Sequence, residues 1–183
     1  NLDRYLRDSK TPAVKARKTT DKIWDLRWLR AFSAKGELQV GELTSWKLRT
    51  RQLRLTSNLE KGRLHYEANA ADFYGAPLHN QGSMTFNKGF EFENTLAAEG
   101  FNLTAASRDR GGAAVLGGKG VLHSTVRGQL DGPGQMPARL DGAWDFTVRN
   151  GTYQRRAEDG SLKGSPTQFY AAGASGVIAK GVV

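Results

Sequence analysis

Lys61-Gly62-Arg63-Leu64-His65-Tyr66-Glu67-Ala68-Asn69-Ala70 carries the pattern from which the fold follows. A glycine closes a turn. Leu64, Tyr66, Ala68 and Ala70 then alternate with Arg63, His65, Glu67 and Asn69. Successive side chains of a strand point to opposite faces, so this period of two predicts a strand with one apolar and one polar face. The same shape recurs at Lys35-Gly36-Glu37-Leu38, Lys88-Gly89-Phe90-Glu91, Lys119-Gly120-Val121-Leu122 and Asp141-Gly142-Ala143-Trp144. These glycines are 26, 27, 31 and 22 residues apart, and Lys180-Gly181-Val182-Val183 begins a sixth unit. A strand-pair repeat predicts a long sheet assembled by addition, which suits a surface or a conduit better than a single catalytic pocket.

Working outward, Leu38 and Val40 alternate with Glu37 and Gln39. Trp46, Leu48 and Thr50 share a face, but Leu53 and Leu55 have the opposite parity, which predicts a bulge or bend near Arg51. Leu78 to Phe86 reads as a strand presenting Met84 and Phe86. Phe90 and Phe92 alternate with glutamates, Val121 to Leu130 is rich in β-branched residues, and Trp144, Phe146 and Val148 alternate with polar partners. A sheet with one apolar face must cover it with another layer, with itself by curling, or with ligand.

Helix is too scarce to provide that layer. Thr20 or Asp21 caps an expected helix over Lys22–Ser33, with Trp24, Trp28 and Phe32 at four-residue spacing and Arg27 and Arg30 pointing away. Short turns are expected near Gly100–Arg108 and Gln135–Leu140. The expected fold is therefore mainly β: a curled, groove-forming antiparallel sheet of strand-pair repeats with one short helix near the N-terminus. Residues 1–20 read as a basic linker segment and 21–183 as a single repeat-built β-groove domain.

Charge and composition narrow the function. Of the net charge of +9, six lie in the first 35 residues, where ten Lys/Arg face four Asp. A solvated linker is the plainer reading of this segment, and contact with an anionic membrane surface is the functional one. No nucleic-acid module surrounds it. The helix plainly reads as a plug on one end of the sheet. In a membrane interface it would make Trp24, Arg27, Trp28 and Arg30 the surface contacts. The 22 glycines among 183 residues exceed the usual share of roughly 7% and fit many tight turns. Without cysteine there is neither a disulfide frame nor a thiolate metal site. No apolar run is long enough to span a bilayer and no signal peptide is present. The start at Asn1 and the stop inside a repeat point to a fragment of a longer chain, with any anchor outside it.

Catalytic readings are thin. His65, His79 and His123 have no second ligand at metal spacing and fit solvent-facing or hydrogen-bonded roles. No cofactor is expected. Arg110 to Gly120 resembles a phosphate loop, but Ala113 and Gly120 stand where the first glycine and the Ser/Thr belong, so a connector between strands is expected. Asn102-Leu103-Thr104 and Asn150-Gly151-Thr152 fit a glycosylation pattern that is common by chance.

Several stretches together resemble the C-terminal region of the AsmA family of Gram-negative envelope proteins. They are Asn1-Leu2-Asp3-Arg4-Tyr5-Leu6, Gly36-Glu37-Leu38-Gln39-Val40-Gly41-Glu42-Leu43, and Ala71-Asp72-Phe73-Tyr74-Gly75-Ala76-Pro77-Leu78 followed by Gly82. Gly118-Lys119-Gly120 with Leu140 to Gly151 completes the order. Ala76 replaces a second glycine and Arg7 the usual proline. The resemblance implies an inner-membrane anchor outside this segment and a periplasmic β-region similar to repeating-groove lipid-transfer modules. It also implies a role in outer-membrane assembly and phospholipid transport. The expected groove lining is Leu38, Val40, Trp46, Leu48, Leu64, Tyr66, Met84, Phe86, Phe90, Phe92, Trp144, Phe146 and Val148, facing phospholipid acyl chains. The bland alternative for each is a closed core. A scaffold that binds envelope proteins through open strand edges and a carbohydrate-binding β-module remain as rivals. A filled apolar groove favours lipid, a dry closed core favours the scaffold, and two or more exposed tryptophans favour sugar.

Overall fold

The computed structural model describes residues 25–87, 89–130 and 139–179. Among the described residues, eight strands form one antiparallel meander in which each pairs only with its sequence neighbours. They are β1 (Ser33–Ser45), β2 (Leu48–Glu60), β3 (Arg63–Asp72), β4 (Leu78–Asn87), β5 (Gly89–Asn102), β6 (Ala114–Leu130), β7 (Arg139–Arg156) and β8 (Leu162–Ile178). β1 and β8 are edges, so the sheet is open. The mainly β, strand-pair architecture is as the alternation predicts.

The helix is elsewhere. The one α-helix among the described residues, α1 (Leu103–Arg110), lies between β5 and β6 rather than near the N-terminus. Asn102 caps it by accepting from the Ala105 amide at 3.2 Å, which satisfies one of the free N–H groups of the first turn. The expected Lys22–Ser33 helix is replaced, over the described part, by a single 3-10 turn at Arg27–Ala31, and Ser33 already begins β1. The competing strand pattern from Ser33 onward wins over the four-residue aromatic spacing. The 1–20 segment and Trp24 lie outside the described residues, as does 135–138 of the expected second turn; Arg139 and Leu140 open β7. The expected Arg110–Gly120 connector is shorter than predicted, because Ala114 already belongs to β6.

The glycine rule holds only in part. Gly62 and Gly89 sit at hairpin turns with φ of 76° and 80°, but Gly36, Gly120 and Gly142 lie inside β1, β6 and β7. Several strand glycines instead make room for aromatic rings. Tyr66 covers Gly82, Phe101 covers Gly120, Trp144 covers Gly176 and Phe169 covers Gly151, so a Cβ at any of these glycines would collide with the ring. An aromatic ring laid over a cross-strand glycine shields the bare backbone and pins the register.

The register puts one set of side chains on the inner face of every strand. Leu55, Ala68, Asn80, Leu96, Ser124 and Trp144 form one row. Glu, Arg, His and Thr alternate with them on the outer face, where Glu37 pairs with Arg54 at 3.0 Å. The ladder is bent at one end only. Gln52 has φ 52° where the parity of β2 switches, close to the bend expected at Arg51. Register shifts fall between Glu99 and Phe101, Gly117 and Lys119, and Tyr153 and Arg155. Bulges increase twist and curl a sheet, and these lie where the strands wrap around α1.

Candidate functional site

The inner face divides into a covered and an uncovered half. At the α1 end, Phe73, Ala76, Ala98, Phe101, Leu103, Ala106 and Val148 form the buried cluster, with Leu48, Leu116, Phe146 and Phe169 packed on it. Strands as distant as β2 and β8 thus touch one small core, so the sheet curls here with its apolar face inward. Asp109 ties α1 to β2 and to the β3–β4 turn. Its Oδ2 accepts from Arg49 Nε at 2.7 Å and from Tyr74 Oη at 2.8 Å, and Tyr74 Oη accepts from the Arg49 amide at 3.0 Å. Bonding to Arg49, then to Tyr74, holds the Asp109 carboxyl below its usual range. Burial, ahead of the neighbouring carboxylate, pushes the Tyr74 phenol up.

The other half has no such lid among the described residues. Leu59 on β2, Leu64 on β3, Met84 and Phe86 on β4, Phe90 and Phe92 on β5, Leu130 on β6 and Leu140 on β7 are all half-buried. Phe86, Phe90 and Phe92 form an aromatic run with ring centroids 6.2 and 6.3 Å apart. Across the middle, between the halves, runs a polar belt. Asn94 Nδ2 donates to Tyr66 Oη at 2.7 Å and to Asn80 Oδ1 at 2.9 Å.

The expected lining therefore splits. Leu64, Tyr66, Met84, Phe86, Phe90, Phe92 and Trp144 share the half-buried inner face, with Val40 on edge strand β1, whereas Phe146 is half-buried against the α1 core and does not line an open groove. Leu38 is on the same face but at the rim, 54% exposed. Val148, 3% exposed, belongs to the core under α1, and Leu48 packs on that core, so neither lines an open groove. Trp46 leaves the set altogether. With Lys47 it makes the two-residue β1–β2 turn, both at positive φ, and it is 71% exposed; that geometry matches the twist of the flanking strands. Sequence reasoning missed Asn80 and Asn94. Their signal was an amide at a position where Phe90, Phe92 and Leu96 set an apolar parity.

The candidate membrane contacts sit at the uncovered end. Trp28 and Phe32 are more than half exposed and pack edge-to-face with centroids 5.5 Å apart. Arg27 bonds Asp25 at 2.6 Å, and Arg30 lies over the Gly62 turn. Trp28 and Trp46, the exposed tryptophans among the described residues, meet the count that favours the sugar reading, but they occupy opposite ends of strands about 40 Å long. They cannot form one sugar platform.

The outer face carries the histidines. His123 lies between Glu99, at 3.0 Å, and Asp145, at 3.3 Å, and these carboxylates, Glu99 first, raise its pKa. His79 Nδ1 is 3.1 Å from Asn69 Oδ1. A hollow of about 470 Å³ on this face is lined mainly by polar side chains, among them Thr56, His65, Glu67, Gln81 and Glu93. No group of three or more potential metal ligands occurs among the described residues, and no helix there is long and apolar enough to cross a membrane. No family model, curated protein or solved structure matches the chain.

Proposed function

We propose that this chain is a non-enzymatic lipid-binding segment of an AsmA-like envelope protein. It shelters phospholipid acyl chains in an apolar β-groove for transport and outer-membrane assembly. The full-length protein is anchored in the inner membrane and this segment lies in the periplasm of a Gram-negative bacterium. One observation carries the reading: half of an apolar sheet face, from Leu59 to Leu140, is half-buried with no covering layer among the described residues. Each methylene taken from water onto such a surface contributes roughly 0.8 kcal/mol before the costs of binding. Non-directional apolar contact also lets a chain slide. The exposed Trp28–Phe32 pair and Arg30 at the uncovered end support contact with a membrane surface there.

Native mass spectrometry with lipid extraction, on protein purified from a bacterial host, tests this. Co-purified phospholipid that is lost in a folded Phe90→Asn/Phe92→Asn variant supports the groove. Folded wild-type protein that carries no lipid and refuses added phospholipid rejects it. A second reading, an envelope scaffold that binds partner proteins by strand addition, rests on β1 and β8, the edges of the sheet among the described residues. That outcome would send the search to those edges.

A further inference from the structure

The inner face is apolar except for the belt where Tyr66, Asn80 and Asn94 meet, with Ser57 and Ser124 at its flanks. Gly82 opens the space for it, since a Cβ there would stand 2.5 Å from Tyr66 Oη. Asn94 is spent in part: its Nδ2 serves Tyr66 and Asn80. Three polar groups are left over, none with a protein partner among the described residues. They are the Tyr66 hydroxyl proton, the Asn80 Nδ2 donors and the Asn94 Oδ1 acceptor. A half-buried donor needs a partner, from water or from a ligand. The inner-face rows that pass through Leu55, Ser57 and Leu59 carry no charged side chain, so the node offers neutral donors rather than a cationic cradle.

We propose that the Tyr66–Asn80–Asn94 node is a recognition site for the glycerol-ester region of a diacyl lipid. Tyr66 and Asn80 donate to an ester carbonyl. The acyl chains run from the node over Met84, Phe92, Phe90 and Phe86, which extend about 14 Å toward the uncovered end at 3.4 Å per residue. In the other direction α1 and its core block the way. The chain is thereby given an orientation, polar region at the middle of the sheet and tails toward the Trp28–Phe32 end. The headgroup lies beyond the node, in solvent. Recognition therefore depends on the ester linkage and is indifferent to headgroup charge.

This inference rests on the groove reading, and the experiment separates the two. Purified protein is delipidated, then titrated with diacyl phosphatidylethanolamine, diacyl phosphatidylglycerol and the dialkyl ether analogue of the first, with bound lipid read by native mass spectrometry. Wild-type protein is expected to hold both diacyl lipids alike and to prefer them over the ether by about five- to tenfold, the worth of one neutral hydrogen bond. Tyr66→Phe and Asn80→Ala each reduce that preference while still binding the ether analogue. Tyr66→Phe removes only one oxygen, so the fold is retained. Equal binding of ester and ether by wild type, or an undiminished preference in both variants, overturns the node and leaves the groove standing. Failure to bind any of the three overturns both.

Discussion

Two aromatic clusters lie on one face of the same sheet and meet different fates. Under α1, Phe73 and Phe101 pack at a tilt with ring centroids 5.3 Å apart and are 8% and 4% exposed. At the other end Phe86, Phe90 and Phe92 contact one another at similar spacing but stay half-buried. The chemistry of the side chains is the same, and among the described residues the difference is an eight-residue helix that spans one end only. Residues that complete a core and residues that await a ligand cannot be told apart by strand alternation, because both answer to the same period of two. What separates them is the covering layer.

The comparison is broken most directly by truncation. Phe101→Ala is expected to cost about 3–5 kcal/mol, as for a buried aromatic, whereas Phe92→Ala costs clearly less because most of its environment is already open. Urea unfolding measures both, and equal losses would mean that the uncovered half is as closed as the other. Next in size is the tie between α1 and β2. Asp109→Asn should lower the melting temperature, with increased lipid uptake if α1 then loosens and extends the groove. Since the Asp109 pKa is lowered on folding, its contribution is present above the ordinary carboxylate value and lost as pH falls through the depressed one. The melting gap between wild type and variant should therefore close as pH falls from about 5 to about 3. Smallest is His123, on the outer face of the sheet. Its pKa is raised on folding, so it stabilises below about pH 6.5 and that contribution fades as pH rises through the raised value. His123→Gln should melt lower than wild type at pH 6 and merge with it in alkali. A gap that grows with pH would reverse the assignment.

Alternation made β3, β4 and the Trp144–Val148 part of β7 legible, and the parity break announced the bend at Gln52 before its φ was known. β8 escaped notice because its inner residues are Ala172, Ala174 and Gly176, which offer no contrast to their polar neighbours. Such a strand is specified by what it pairs with, here Trp144 lying over Gly176, and that is a property of two segments rather than one. The N-terminal aromatics misled for the opposite reason. Trp24, Trp28 and Phe32 have a helical spacing, yet Phe32 adjoins a strand that fixes its backbone. α1 reads only as a turn in the sequence, since Leu103-Thr104-Ala105-Ala106-Ser107 carries little apolar periodicity. Its cap, Asn102, was visible but counted as a glycosylation pattern. In the site, the inner-facing phenylalanines were legible from parity. Trp46 and Val148 were not, because turn geometry and the reach of α1 decided them.

A meander has no crossing connections, but this one is cross-linked past its strand order: the Leu26 amide, ahead of β1, bonds the Asn87 carbonyl on β4, and α1 is joined to β2 by Arg49 and lies against β6. Strands between those two points are enclosed in a loop of contacts and should protect their amides as one cooperative block. β1 and β8 are each held along one border alone, so amide exchange should begin there and move inward. A chain of this kind can gain or lose an outer hairpin without rethreading, as a row of tiles can be lengthened at either end. The helix marks a place where the row has been knotted into a unit.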